Sequence, residues 1–224
     1  MNGLKNNVNS SRDTVYQILR EEILTLKLEP GTSISEAEVS KKLDVSRTPV
    51  REAFLRLSQE GLLDIYPQKG TYVSLIDLTL VEEGRFMREQ LERAVIRLAC
   101  ENFPVEQLIS LEMNLKMQEL HVEKKDYTGM FELDEEFHRM IFTGCNKKNI
   151  WLAIQKMNFD FNRIRMLRLS TNYNWDDIFS QHSKIAEAIR NRNPDLAEKT
   201  MEDHLTSVMV YKEELKQSYP NYFK

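Results

Sequence analysis

Glycine is scarce, seven residues in 224, and three of the seven (Gly31, Gly61 and Gly70) fall between positions 30 and 70. Beyond Gly70 the chain is rich in Leu, Ile, Glu, Lys and Met. Straight-chain residues of this kind lose little rotamer freedom on entering a helix, so the composition favours helices with the turn chemistry gathered near the N-terminus. At about 100–200 residues per domain, the length allows one large domain or two smaller ones. A hydrophobic share of 41% with 29% charged residues excludes a mostly disordered chain. No apolar run approaches the ~20 residues of a membrane span. The start, MNGLKNNVNSSRD, has no apolar core and does not read as a signal peptide. Cys100 and Cys145 stand far apart and form no CxxC motif, which suits a reducing cytoplasm.

Local patterns set the order of elements. Residues 1–11 read as a flexible tail. Val15, Ile18, Leu19, Ile23 and Leu26 fall at helical spacing, and Pro30-Gly31 stops that helix. Ser35 with Glu38 forms a capping box for a short second helix ending near Asp44. Ser46 caps a third helix, with Pro49 tolerated in its first turn and Gly61 just past its end. Two extended runs, 62–66 and 71–74, flank a turn at Pro67-Gln68-Lys69-Gly70. Helix, helix, helix, hairpin is a winged helix-turn-helix, expected over residues 12–76. Residues 77–218 read as an all-helical antiparallel bundle with short loops, followed by a tail at 219–224. Its helices are expected from a capping box at Thr79 and Glu82 to about Asn102, from Pro104 to Glu123, over 126–143, over 147–170, from Asn174 and Trp175 onward, and from Asn193-Pro194-Asp195. The fold class is therefore mainly α.

Charge needs dividing before it is used. Lys plus Arg total 31 against 35 acids, a net charge of −4 that on its sum argues against nucleic acid. Residues 1–76, however, hold ten basic and ten acidic residues, and the acidic surplus belongs to the helical half. From Ser46 to Arg56 there are three arginines and one acid. Arg47 and Arg51, four apart, point the same way from the first turns of the third helix. Arginine bonds bidentately to the O6/N7 edge of guanine, and recognition helices meet base edges with their N-terminal residues. Thr48 suits a phosphate or a thymine methyl, Ser46 and the helix N-terminus suit a phosphate oxygen, and Gln68 and Lys69 lie at the hairpin tip. The residues alone also permit an ordinary solvated helix face.

The run from Gly31 to Ser74 resembles the winged-helix DNA-binding domain of the GntR family of bacterial transcription regulators. VSRTPVREA (Val45–Ala53), the Gln59–Leu62 run and the Lys69-Gly70-x-x-Val73 wing carry the likeness. The resemblance implies that Arg47 and Arg51 contact bases or nearby phosphates; Ser46, Thr48, Lys69 and Gly70 complete the expected DNA-binding set. An arginine that many members carry near the start of the second helix is replaced here by Ala37.

Four histidines occur, at positions 121, 138, 182 and 204. Asp134 and His138 share a helix face otherwise formed by Phe131 and Ile141. His182 sits among Ile178, Ile185 and Ile189, and His204 among Ala197, Met201 and Val208. Polar groups on apolar stripes need partners. Each can be a hydrogen-bonded interior residue, or together they form a metal site at a bundle centre. Three imidazoles and a carboxylate suit a divalent ion, zinc first, with nickel, iron and manganese also compatible. His121, within HVEKK, reads as a surface residue.

The Asp134, His138, His182, His204 series is similar to the metal-binding pattern of the FCD domain of the FadR subfamily. Arg88 and Glu92 are similar to that domain's first-helix Arg-x-x-x-Glu signature. The resemblance implies a homodimeric regulator of double-stranded operator DNA whose bundle binds a metal and a small organic acid. The acid would meet the metal and pair with Arg88, with Asn158, Asn162 and Arg165 lining the same pocket. A metal sensor and a His3Asp metalloenzyme are the alternatives to this non-enzymatic reading.

Overall fold

A computed structural model describes residues 11–171 and 175–224. The chain divides into two compact units, one running to Leu75 and including 221–224, the other comprising 76–220.

In the first unit, α1 (Ser11–Leu24) packs on α3 (Arg47–Gln59), which also packs on α2 (Glu36–Leu43). Val15, Leu19 and Ile23 form the buried stripe of α1, and Val50, Phe54 and Leu57 that of α3. The helix expected to run to Pro30-Gly31 closes earlier, at Leu24. Leu26 turns left-handed (φ 59°), and the Leu28 N–H returns to the Glu22 carbonyl at 2.8 Å. Ser35 caps α2 as its spacing with Glu38 predicts, accepting the Glu38 N–H at 3.2 Å. Ser46 occupies the cap position of α3 without a side-chain cap bond.

The expected hairpin is β2 (Leu63–Tyr66) and β3 (Gly70–Val73), paired antiparallel with Leu63 opposite Val73 and Tyr66 opposite Gly70. A third strand, β1 (Ser33–Ile34), pairs on the other side of β3. Two residues are too few to show alternation, which is why the sequence does not announce it. Gly70, at φ 116°, closes the turn in a region that other residues rarely adopt.

The second unit is all helical. It contains α4 (Leu78–Glu101), α5 (Val105–Lys124), α6 (Tyr127–Gly144), α7 (Lys148–Met157), α8 (Phe159–Ser170), α9 (from Trp175 to Arg190), α10 (Pro194–Val210) and α11 (Lys212–Ser218). The expected opening of α9 at Asn174 lies outside the described residues, as does the tail at 1–10; Ser11 already belongs to α1. α4 runs alongside α10 and α8, and α5 alongside α6 and α9. Ile96, Phe137, Ile154, Ile185 and Met201 are among the fully buried apolar side chains between them.

Three expectations change here. Asp77, not the Thr79–Glu82 pair, caps α4 by accepting the Thr79 N–H at 2.9 Å, and Glu82 pairs with Arg85 instead. The single helix expected over 147–170 is two, broken at Asn158 (φ −103°, ψ 16°). Asparagine competes for backbone groups and is a poor helix interior residue. The break also sets the Asn158 amide against α4, where a Cβ on Gly84 would meet Asn158 Oδ1 at 2.8 Å. Finally, the expected tail at 219–224 is ordered: Pro220–Tyr222 forms a 3-10 turn, and Phe223 is buried.

α8 positions the site. Every residue from Phe159 to Leu169 is buried, including Asp160, Asn162, Arg163, Arg165 and Arg168. A helix buried on all sides is normally apolar all round. This one brings three arginines into the interior, so its partners must supply charge.

Candidate metal centre and DNA-reading helix

Three helices carry the histidines inward. His138 from α6, His182 from α9 and His204 from α10 are all buried, as is Asp134 one turn before His138. One ligand atom from each of the four lies within 4.8 Å of all the others. His204 Nε2 is 3.2 Å from His138 Nε2 and 3.4 Å from His182 Nε2. Asp134 places Oδ1 3.6 Å from His182 Nε2 and Oδ2 3.8 Å from His138 Nε2.

The opposite ring nitrogens decide the proton positions. His138 Nδ1 meets the Glu92 carboxylate, which only accepts, so the proton is on Nδ1. His182 Nδ1 lies 2.8 Å from Gln118 Oε1. That oxygen is fixed by a relay: the Leu133 carbonyl accepts from Asn114 Nδ2 at 3.1 Å, so Asn114 Oδ1 accepts from Gln118 Nε2 at 2.6 Å. Gln118 therefore turns its oxygen to His182, which donates from Nδ1. His204 Nδ1 sits 3.0 Å from Gln181 Oε1 and, with the Gln181 amide in this orientation, donates to it. All three rings thus aim an Nε2 lone pair at one spot. Lone pairs 3.2–3.4 Å apart repel unless a cation lies between them.

Electrostatics agree. Burial pushes His182 down to about 3 against a smaller upward pull from Asp134. Burial, with help from His182 and His138, holds His204 well below the usual histidine range. Burial would raise Asp134, but the guanidinium of Arg165 bonded to it outweighs that and keeps the carboxyl ionised. Neutral imidazoles and an ionised carboxylate are the protonation states that metal ligation requires. The donor set, three imidazole nitrogens and one carboxylate, fits a borderline divalent ion.

Around the cluster, Arg88 is fully buried, bonded to Glu92 and, at 3.0 Å, to Glu135. Arg165 bonds to both Asp134 and Glu135, and at 3.0 Å to Asn162 Oδ1. Of the four side chains expected to meet an effector, Arg88 and Arg165 are thus joined through Glu135, and Asn162 is bonded to Arg165. A cleft beside the cluster is lined by Asp134, Arg165, Arg168, His204 and Ser207 with Phe161 and Ile178. Arg165 belongs to it, whereas Arg88, Asn158 and Asn162 are outside its lining. Asn158 is wholly buried, and among the described residues neither side-chain amide atom has a hydrogen-bond partner.

Sequence reasoning missed Asn114, Gln118, Glu135, Gln181, Arg168 and Ser207. The first two left a signal: Leu111, Asn114 and Gln118 fall at i, i+3, i+7 on the buried stripe of α5. His121 is half-buried and bonds at 2.9 Å to Asp126, the cap of α6.

In the first unit, Ser46, Arg47, Thr48 and Arg51 are all exposed along the start of α3, and Lys69 and Gly70 are exposed at the hairpin tip. Arg47 and Arg51 have no ion pair among the described residues. Arg56, on the same helix, is committed: it pairs with Glu60 at 3.3 Å and Asp13 at 3.8 Å and lies 3.5 Å over the Tyr16 ring.

Comparison with known proteins follows this division. Residues 11–73 match the bacterial regulatory proteins of the gntR family, and residues 85–207 match the FCD domain. Over 209 residues the chain is 34% identical to the HTH-type transcriptional repressor RspR of Escherichia coli strain K12, covering 93% of this chain and 92% of that protein. The chain belongs to the GntR family. This GntR regulator carries a DNA-binding helix-turn-helix domain and a helical FCD domain. Among solved structures, E. coli McbR/YncC aligns with a TM-score of 0.79 at 20% identity, over 93% of this chain and 98% of that one. A transcriptional regulator GntR from Rhodococcus sp. RHA1 aligns with a TM-score of 0.73 at 21% identity, over 94% and 100%. These two likenesses speak for the fold alone. Proteins of the family bind operator DNA, and among the described residues no helix is long and apolar enough to cross a membrane.

Proposed function

We propose that this GntR-family protein is a homodimeric, effector-responsive transcription regulator whose FCD domain holds a divalent metal ion. Asp134, His138, His182 and His204 are the metal ligands, with zinc the first candidate and nickel, iron or manganese compatible. The observation that carries this reading is the convergence of three Nε2 atoms whose Nδ1 partners fix them as lone-pair donors.

A small carboxylate effector enters the cleft beside these ligands and is held partly by Arg165. The metal, when bound, supplies a positively charged anchor for such an anion. Asp134 and the histidines hold and orient it, and Glu92, Gln118 and Gln181 keep their tautomers. Arg47, Thr48 and Arg51 read base edges or nearby phosphates, with Ser46, Lys69 and Gly70 contacting the backbone. A two-fold dimer presents one such helix to each half of a palindromic site. The effector changes DNA binding only as far as it binds the two conformations of the dimer differently.

The test is elemental analysis and operator binding on the same preparation. The wild type should contain about one divalent ion per chain, and the Asp134→Ala, His204→Ala double variant should contain none. If the double variant retains the ion, the metal reading fails. If chelation of the wild type leaves operator binding and its response to carboxylates unchanged, the ion has no part in the response.

A further inference from the structure

Of the three arginines that α8 brings inside, one has no carboxylate. Arg163 pairs with Asp160, and Arg165 with Asp134 and Glu135. Arg168 is 4% exposed, yet among the described residues, which include every acid of the chain, none lies within ion-pair distance of it. Its guanidinium donates to Ser207 Oγ at 2.9 Å and lies 4.8 Å over the Tyr211 ring. Its Nε has no hydrogen-bond partner among the described residues. Asp177 and Asp134 act on it only through space, and Asp177 is exposed. Burial dominates and pulls its pKa down, the mark of a cation lacking its counter-ion.

Arg168 and Ser207 line the same cleft as Asp134, His204 and Arg165. The interior charges around that cleft are Arg88, Arg165 and Arg168 against Glu92, Asp134 and Glu135. They cancel while the histidines are neutral, so adding a divalent cation leaves a surplus of two positive charges. A buried surplus of that size calls for an anion of matching charge.

We propose that Arg168 and Ser207 form the far end of a two-point site for a small dicarboxylate whose near end meets the metal ligands. This rests on the effector-binding reading above and narrows it from any organic acid to a dianion. The planar guanidinium fork suits a carboxylate, and the Ser207 hydroxyl, which donates to the His204 carbonyl at 2.7 Å, shares the second oxygen by turning away from that carbonyl. The cleft is small, about 20 Å³, room for about one water. Its walls come from α6, α8, α9 and α10, so admitting the ligand parts α8 from α9 and α10. Binding is thereby coupled to bundle geometry.

The experiment is calorimetric titration of the full-length protein, loaded with Zn²⁺ and separately with Mn²⁺, using dicarboxylates and chain-matched monocarboxylates. Succinate is set against butyrate, and malate against 3-hydroxybutyrate. The wild type should prefer each dicarboxylate by at least tenfold. Arg168→Gln should erase that preference while leaving metal content unchanged, and Arg168→Lys should restore part of it. The ligand-free melting temperature of Arg168→Gln should be no lower than that of the wild type, because the variant removes an unpaired buried charge. A tenfold preference surviving in Arg168→Gln overturns the clamp. Equal, metal-dependent binding of both classes by the wild type also overturns it and leaves the effector reading standing. No binding by either class sinks the effector reading and the clamp together.

Discussion

His138 Nδ1 donates to the Glu92 carboxylate, and the same carboxylate accepts from Arg88, so one acid holds both a candidate ligand and a buried arginine. Glu92→Gln keeps an acceptor for the ring but removes the charge that strengthens its lone pair. Divalent metal affinity should fall about 10–100-fold. Competition against a chromophoric chelator measures this, and unchanged affinity would detach Glu92 from the centre.

Asn114 touches no ligand, yet it determines which atom Gln118 shows to His182. In Asn114→Ala, the buried Gln118 amide loses the acceptor of its Nε2 and is free to flip. The expected cost in stability is about 1–3 kcal/mol. Two-bond proton–nitrogen spectra of the metal-free protein should show His182 purely Nδ1-protonated in the wild type and mixed in the variant. A single tautomer in both would mean that the ring is set by something else.

Arg47 and Arg51 are exposed and uncommitted among the described residues, whereas Arg56 is bound to Glu60, Asp13 and the Tyr16 face. Arg47→Ala and Arg51→Ala should each cost about 1–3 kcal/mol of discrimination against wrong bases. Arg56→Ala should lower thermal stability and leave sequence preference alone. Fluorescence anisotropy on an operator selected from random duplexes, with a mutated control duplex, separates the two classes. Intact discrimination in the double variant would remove both arginines from readout.

In the metal-free protein, burial holds His182 at about 3 and His204 well below the usual range, so the unfolded chain takes up protons first as pH falls. Stability is fully present above about pH 6.5, the ordinary histidine value, and is lost below it. Each of these histidines should weaken folding about tenfold per pH unit. Glu135 adds a second loss between its ordinary range and about 2: burial opposes its ionisation, but Arg88 and Arg165 keep it ionised in the fold. Melting curves of chelated protein between pH 7 and 5 test the first window. A flat profile would mean that these rings titrate normally.

Much of this was legible beforehand because it follows short-range rules. The Ser35–Glu38 cap, the hairpin around Gly70 and the inward faces of His138, His182 and His204 all rest on spacing within one element. What was hidden depends on packing between elements. Asn158 breaks a helix where α4 crosses it, and Asp77 takes the cap that Thr79 and Glu82 advertised. The spacing of Arg88 and Glu92 announced one ion pair, but the second, to Glu135, joins residues 47 apart and follows only from packing. Arg168 passed unnoticed because arginine in a sequence reads as surface, and only a helix buried on every side makes it interior.

That enclosure of α8 bears on how such a regulator changes over generations. A helix with a solvent face can drift one residue at a time, but Asp160 with Arg163, and Arg165 with Asp134 and Glu135, are held as matched sets. Loss of one member strands the other in the interior, so these positions must change together or not at all. Arg168 stands outside that constraint, since no acid of the chain depends on it. A lineage acquiring a new signal molecule would therefore vary first at this position, and libraries built to retune the regulator should begin there.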